Sequence, residues 1–152
     1  MRSALCVLVA ALAGGAVVGC SSSSQEVEGG WGPVRDGVQA MLYSPRGVWK
    51  VGEQVQVRLR LRNVKGEIKN FPSSADLTLR ITRSDDPVAD DVDYVTLAPE
   101  GIRLSPGQVL NCPLRTYPTD PASAKVCKGR GLYRFRGKLG ELELPPLEVR
   151  VE

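Results

Sequence analysis

The chain predicts an all-β fold, a β-sandwich of seven to eight antiparallel strands. Three observations carry this. Apolar residues recur with period two nearly everywhere after residue 37, turn signals interrupt them at short intervals, and no segment sustains a helical period. Two such sheets would bury their Val, Leu and Ile faces against each other and leave the alternate polar positions in water.

In chain order, Val38, Ala40 and Leu42 alternate with Gln39, Met41 and Tyr43, and Ser44-Pro45 breaks the run. Residues 47–52 form a short strand ending in a turn at Gly52. Val55, Val57, Leu59 and Leu61 alternate with Gln54, Gln56, Arg58, Arg60 and Arg62, the pattern of a half-buried strand. Leu77, Leu79 and Ile81 alternate with Thr78, Arg80 and Thr82, and Asp85-Asp86-Pro87 ends that strand. Residues 92–97 make a shorter segment, and Ser105-Pro106-Gly107 turns the chain into a strand over 109–114. Pro113, Pro118 and Pro121 predict an irregular loop up to Cys127. Tyr133 and Phe135 then share one strand face, with Arg134 and Arg136 on the other. A short strand over 141–144 follows, Pro145-Pro146 interrupts pairing as an edge tolerates, and Leu147, Val149 and Val151 finish inward.

Trp49-Lys50-Val51-Gly52-Glu53 ahead of a long strand ending in Arg62-Asn63-Val64 resembles the opening of bacterial immunoglobulin-like domains. Leu104-Ser105-Pro106-Gly107-Gln108, followed by Gly131-Leu132-Tyr133-Arg134-Phe135-Arg136-Gly137, is similar to the ending of domains related to the BsuPI intracellular proteinase inhibitor. The resemblance spans residues 48–139 loosely and implies an immunoglobulin-like sandwich over 31–152. An exported chain would sit in the wrong compartment for an intracellular inhibitor.

Export is predicted by the N-terminus. Arg2 precedes an apolar run over 4–18, shorter than the ~20 residues a membrane span needs, so residues 1–19 read as a signal peptide. Val17-Val18-Gly19-Cys20 resembles the bacterial lipobox, which implies cleavage before Cys20 and covalent lipid on its sulfur. Each buried methylene contributes roughly 0.8 kcal/mol, so two or three chains would anchor the protein stably. Ser21 at the next position, in place of Asp, favours the outer membrane if the source has two membranes. Residues 20–30, SSSSQEVEGG after the cysteine, read as a flexible tether of roughly 15–20 Å reach.

The +3 formal charge falls to about +2 once Arg2 is lost, too little to argue for nucleic acid, and export argues against it as well. The chain has no histidine, which removes Ser-His-Asp, Cys-His and imidazole metal sites together. No catalytic constellation, metal set or cofactor beyond the lipid is assigned. Cys6 leaves with the leader and Cys20 is lipidated, so Cys112 and Cys127 are expected to pair as a disulfide in an oxidising compartment. Such a staple would be worth about 3 kcal/mol.

Two clusters remain. Asp85, Asp86, Asp90, Asp91 and Asp93 offer hard oxygen ligands of the kind Ca²⁺ collects, yet lack the EF-hand frame, and a solvated turn explains them. Arg58, Arg60, Arg62, Arg80, Arg134 and Arg136 face outward on their strands. If those strands are neighbours they form one cationic face for an anionic partner; otherwise they pair with carboxylates such as Glu141, Glu143 and Glu148. Trp49 is expected in the core and Trp31 nearer a contact surface. The sequence thus predicts a non-catalytic, lipid-anchored envelope module that binds or scaffolds a protein partner. The alternatives are a protease inhibitor using the 112–127 loop and a calcium-dependent adhesion module.

Overall fold

A computed structural model describes residues 25–71, 76–97 and 101–152. The signal peptide 1–19, the lipid site Cys20 and residues 20–24 lie outside the described residues. The strands are β1 (Val27–Glu28), β2 (Val38–Ser44), β3 (Val48–Trp49), β4 (Gln54–Asn63), β5 (Lys69–Phe71) and β6 (Asp76–Arg83). They continue with β7 (Asp86–Thr96), β8 (Ile102–Leu104), β9 (Val109–Pro118), β10 (Gly131–Leu139), β11 (Leu142–Glu143) and β12 (Leu147–Val151).

The fold is an all-β sandwich. One sheet runs β1-β2-β4-β9 and the other β3-β12-β10-β6-β7, with β11 on β10 and a small β5-β8 pair beside them. The alternation in the sequence decides which side of each strand is buried. Val55, Val57, Leu59 and Leu61 of β4 meet Leu77, Leu79 and Ile81 of β6, Tyr133 and Phe135 of β10, and Leu147, Val149 and Val151 of β12 in one core. Full burial of such a side chain contributes about 1.5–3 kcal/mol. Tyr117 and Phe135 join the sheets, ring centroids 5.5 Å apart at a tilted 43°. The Tyr133 hydroxyl donates to the carbonyls of Lys128 (2.8 Å) and Gly129 (2.9 Å), as in the tyrosine corner of immunoglobulin-type sandwiches.

The residues of the opening motif have physical reasons for being there. Gly52 holds a φ of 95°, which only glycine adopts without strain, so the chain can turn into β4. The Glu53 carboxylate accepts the Lys50 N–H at 2.8 Å. At the other end of β4, the buried Asn63 amide donates to Glu67 O (2.6 Å) and Leu104 O (3.1 Å). Asn63 thereby ties the 63–68 turn to β8.

Four expectations are corrected. Residues 25–30 are not tether: β1 pairs antiparallel with β2, Val27 opposite Ser44 and Glu28 opposite Tyr43, and the Gly29 N–H continues the edge to Leu42 O at 2.9 Å. Not every pair is antiparallel, since β3 lies parallel to β12. The break after Ser44 passes the chain from one sheet to the other without reversing it. Residues 115–118 are strand, not loop. β9 is the outer strand of its sheet, where proline's missing N–H costs no ladder bond on the open side, and the register shifts opposite Arg58 where Pro113 sits. Finally, the Asp-rich stretch is not one turn. The turn is Ser84-Asp85, and β7 runs from Asp86 alongside β6 with an irregularity before Asp90.

Candidate functional site

The register of the strands settles where the six outward arginines stand. Arg58, Arg60 and Arg62 lie on β4 in the first sheet; Arg80 on β6 and Arg134 and Arg136 on β10 lie in the second. Both sheets turn their apolar faces to the same core, so the two trios occupy opposite outer faces. They do not form one cationic surface.

The β4 arginines serve the fold. Arg60 donates to Glu28 (2.6 Å), Glu26 (3.0 Å) and Asn111 (2.8 Å), and its guanidinium lies 4.2 Å from the centroid of the Tyr43 ring. Burial works against the Arg60 charge, but Glu26 and its neighbours outweigh it and hold the guanidinium above its ordinary pKa. Arg62 donates to Gln39 at 2.8 Å and stacks 4.1 Å from the centroid of Trp31. Arg58 donates to Gln56 at 2.9 Å. These side chains explain why Met41 and Tyr43, on the outward side of β2, are only 1% and 2% exposed. Charged side chains with long stems roof an apolar outer face.

The second face is more open. Arg134 pairs with Glu148 on β12, but Arg136 is exposed and makes no ion pair or side-chain hydrogen bond among the described residues. Arg136 lies directly opposite Arg80, which in turn faces Val92 of β7. In the next row Lys138, Thr78 and Tyr94 line up, with Tyr94 70% exposed. An exposed aromatic and valine near Arg136 form a mixed surface that can take both apolar and anionic contacts.

One end of the sandwich gathers three connections: 45–53, 84–85 and 119–130. Thr119, fully buried, joins two of them. Its hydroxyl accepts the Gly52 N–H (2.8 Å) and donates toward Glu53 O (2.7 Å) and Lys50 O (3.2 Å). Arg83 links the other pair, bonding Asp85 and reaching Lys128 O at 3.3 Å. The bond from Arg83 holds the Asp85 carboxyl below its ordinary pKa, and the Lys50 N–H does the same for Glu53.

Cys112 and Cys127 are free thiols in the structure, so the expected staple is not formed. Cys112 sits in mid-strand on β9 opposite Leu59 and is half-buried. Cys127 is fully buried two residues before Gly129, whose N–H donates to Thr119 O at 2.9 Å just past the end of β9. Five residues of strand separate Cys112 from Tyr117, about 17 Å along β9. A disulfide needs Cα atoms within ~7 Å. Burial, with Asp91 adding to it, pushes the Cys127 thiol up to about 12.

The aspartates are dispersed to separate partners. Asp85 is held by Arg83, while Asp93 accepts the Tyr117 hydroxyl at 2.9 Å and lies 3.4 Å from Arg115. Burial and the bond to Asp93 raise the Tyr117 pKa. Among the described residues, no three His, Cys, Asp or Glu side chains gather as a metal site. Asp91 and Asp93 lie opposite Ile81 and Leu79 and so point toward the core side of an outer strand, a placement that discourages edge-to-edge pairing.

Sequence reasoning missed Glu26, Glu28 and Thr119. The alternation Glu26-Val27-Glu28 was the available signal for β1; Thr119 had none.

No family model and no curated protein matches the sequence. Among solved structures the fold is similar to part of an alkylpurine DNA glycosylase, AlkC, of Pseudomonas fluorescens, at 14% identity and a TM-score of 0.46. That match covers 70% of this chain and 28% of the glycosylase. It is also similar to part of a Listeria innocua β-glucosidase, at 12% identity and a TM-score of 0.44, covering 75% of this chain and 16% of the enzyme. The chain thus spans well under half of each. At these values neither likeness bears on activity.

Proposed function

We propose that the protein is a lipid-anchored module of the bacterial cell envelope that binds a protein partner without catalysing a reaction. Lipid on Cys20 supplies the anchor, and the outer membrane is its location where the source has two. The observation that supports display from an N-terminal anchor is the way the chain enters the sandwich. From Val27 onward it is paired with β2, and Arg60 clamps Glu26 and Glu28, so a pull on the N-terminus is borne by the sheet. The partner surface is the open outer face of the second sheet, with Arg136, Arg80, Lys138, Val92 and Tyr94.

Metabolic labelling with a palmitate analogue tests the anchor: label is expected on the chain and absent from Cys20→Ala, which should leave the membrane fraction. A Cys20→Ala chain that still fractionates with membranes refutes it. A photo-crosslinking side chain at position 94 tests the surface. A discrete adduct is expected that disappears in Arg136→Glu, and an adduct insensitive to that change excludes this face.

A further inference from the structure

The pairing of Val27 with Ser44 puts the entry of the chain at the end of the sandwich that Thr119 and Arg83 hold together. The opposite end is built from two tight turns. Arg35 and Val38 exchange backbone bonds of 2.9 Å around Asp36-Gly37, and Leu139 pairs with Leu142 around Gly140-Glu141. Asp36 holds a φ of 49° and Gly37 one of 82°, the left-handed pair of a two-residue hairpin turn, so the Asp36 carboxylate rides on a fixed backbone. The Arg35 guanidinium donates to Glu141 O at 3.0 Å and ties the two turns to each other.

These turns, with β5 and the start of β6, line a cavity of about 540 Å³. Its floor is the end of the core: Val38, Leu139 and Leu142, with Phe71 of β5 packed against them. The three core residues are 5–7% exposed, whereas Leu77 and Leu79 beside them are 0% exposed, so water reaches the core here. The rim is polar and of both kinds. Asp36, Asp76 and Glu141 carry carboxylates that only accept hydrogen bonds, Arg35 and Lys69 only donate, and the Asn70 amide does both. Asp76 already accepts the Thr96 hydroxyl at 3.1 Å. Lys69 reaches Glu67, and Glu141 reaches Lys138, only at 3.9 Å. Asp36 and Asn70 make no side-chain hydrogen bond or ion pair among the described residues.

Net charge does not select the occupant of such a rim. An anion would meet the carboxylates, and a cation would meet Arg35 and Lys69. A neutral group that both donates and accepts satisfies the two kinds together, and a hydroxyl is such a group. The apolar floor asks for an apolar surface on the same molecule. A sugar ring combines the two, with hydroxyls around its edge and C–H groups on its face. The volume lies in the range of about 300–1,000 Å³ typical of small-molecule sites. We propose that this cavity binds carbohydrate as a neutral pyranose unit, with Asp36, Asn70 and Glu141 bonded to its hydroxyls and Phe71 against its face. The site lies at the end away from the chain entry and stands whether or not Cys20 carries lipid.

The test titrates the full ¹⁵N-labelled chain with four probes that share one ring: glucose and N-acetylglucosamine, which are neutral, glucosamine, which is cationic, and glucuronate, which is anionic. Binding is read from saturation transfer to the sugar protons and from amide shifts in the protein. At least one neutral sugar is expected to bind with a millimolar Kd, as befits a ligand of about 12–15 heavy atoms, and to shift the Asn70, Phe71, Gly140 and Glu141 amides. Asp36→Gly, which keeps the turn, and Asn70→Ala should each weaken that binding about two- to tenfold, the share of one hydrogen bond, with the thermal midpoint unchanged. No binding by either neutral sugar well above the millimolar range overturns the proposal. So does tighter binding of a charged probe than of both neutral ones. Binding that both variants leave intact, or shifts confined to other residues, overturns the site.

Discussion

Replacing Arg60 by alanine removes one side chain that holds the N-terminal strand to the sheet. Arg60 makes three charge-assisted bonds, to Glu28, Glu26 and Asn111, and covers the Tyr43 ring at 4.2 Å. The guanidinium is 18% exposed and its glutamates nearly half exposed, so solvent discounts the ion pairs to roughly 0.2–1 kcal/mol each. The stack over Tyr43 adds about 0.5–1 kcal/mol. Arg60→Ala should therefore cost about 2 kcal/mol, with the largest effect local to β1. In native-state hydrogen exchange the Gly29 amide, which bonds Leu42 O, should exchange about thirtyfold faster, while core amides of β4 follow only the global change. A double-mutant cycle of Arg60→Ala with Glu28→Gln should return a coupling of about 0.5–1 kcal/mol that shrinks in high salt. A coupling indistinguishable from zero, or unchanged exchange at Gly29, would refute the clamp, and residues 25–30 would then be tether after all.

Three further outcomes follow from the same geometry. Thr119→Val keeps the shape but strips the acceptor from the Gly52 N–H; denaturant melts should show a loss of about 1–3 kcal/mol, and an unchanged midpoint would mean that water replaces the hydroxyl. In protein recovered without reductant, intact mass should show two unbridged thiols, with Cys127, its pKa pushed up to about 12, alkylated only on unfolding; a mass lower by one hydrogen pair would restore the staple. Glu53 and Asp85 have lowered pKa values in the fold, so their contribution is fully present above the ordinary carboxylate range and is lost as pH falls through the folded values. Thermal melts should drop in that acidic window, less steeply for Glu53→Gln, and parallel curves would remove Glu53 from the account.

The strands were legible because their signal is local. A β-strand shows its two faces to two environments, and Val55 to Leu61 against Gln54 to Arg62 states that division without reference to any other part of the chain. Asn63, Gly52 and Glu53 were legible as motif and gained their reasons from the hydrogen bonds they make. β1 was not legible, since a two-residue strand in a Ser/Gly/Glu-rich stretch is held by Arg60, more than thirty residues away. Residues 86–91 looked like a turn because aspartate disfavours strands; pairing with β6 overrode that preference.

Sequence alone determined that the described chain is a sandwich, which side chains fill its core, and that six arginines point outward, because alternation is a property of neighbours along the backbone. Only the tertiary structure decided that those arginines divide between opposite faces, that Cys112 and Cys127 stay apart, and that the chain enters at the end knitted by Thr119 and Arg83. Strand order and register are fixed by contacts between residues far apart in sequence, and no local pattern records which strand lies beside which.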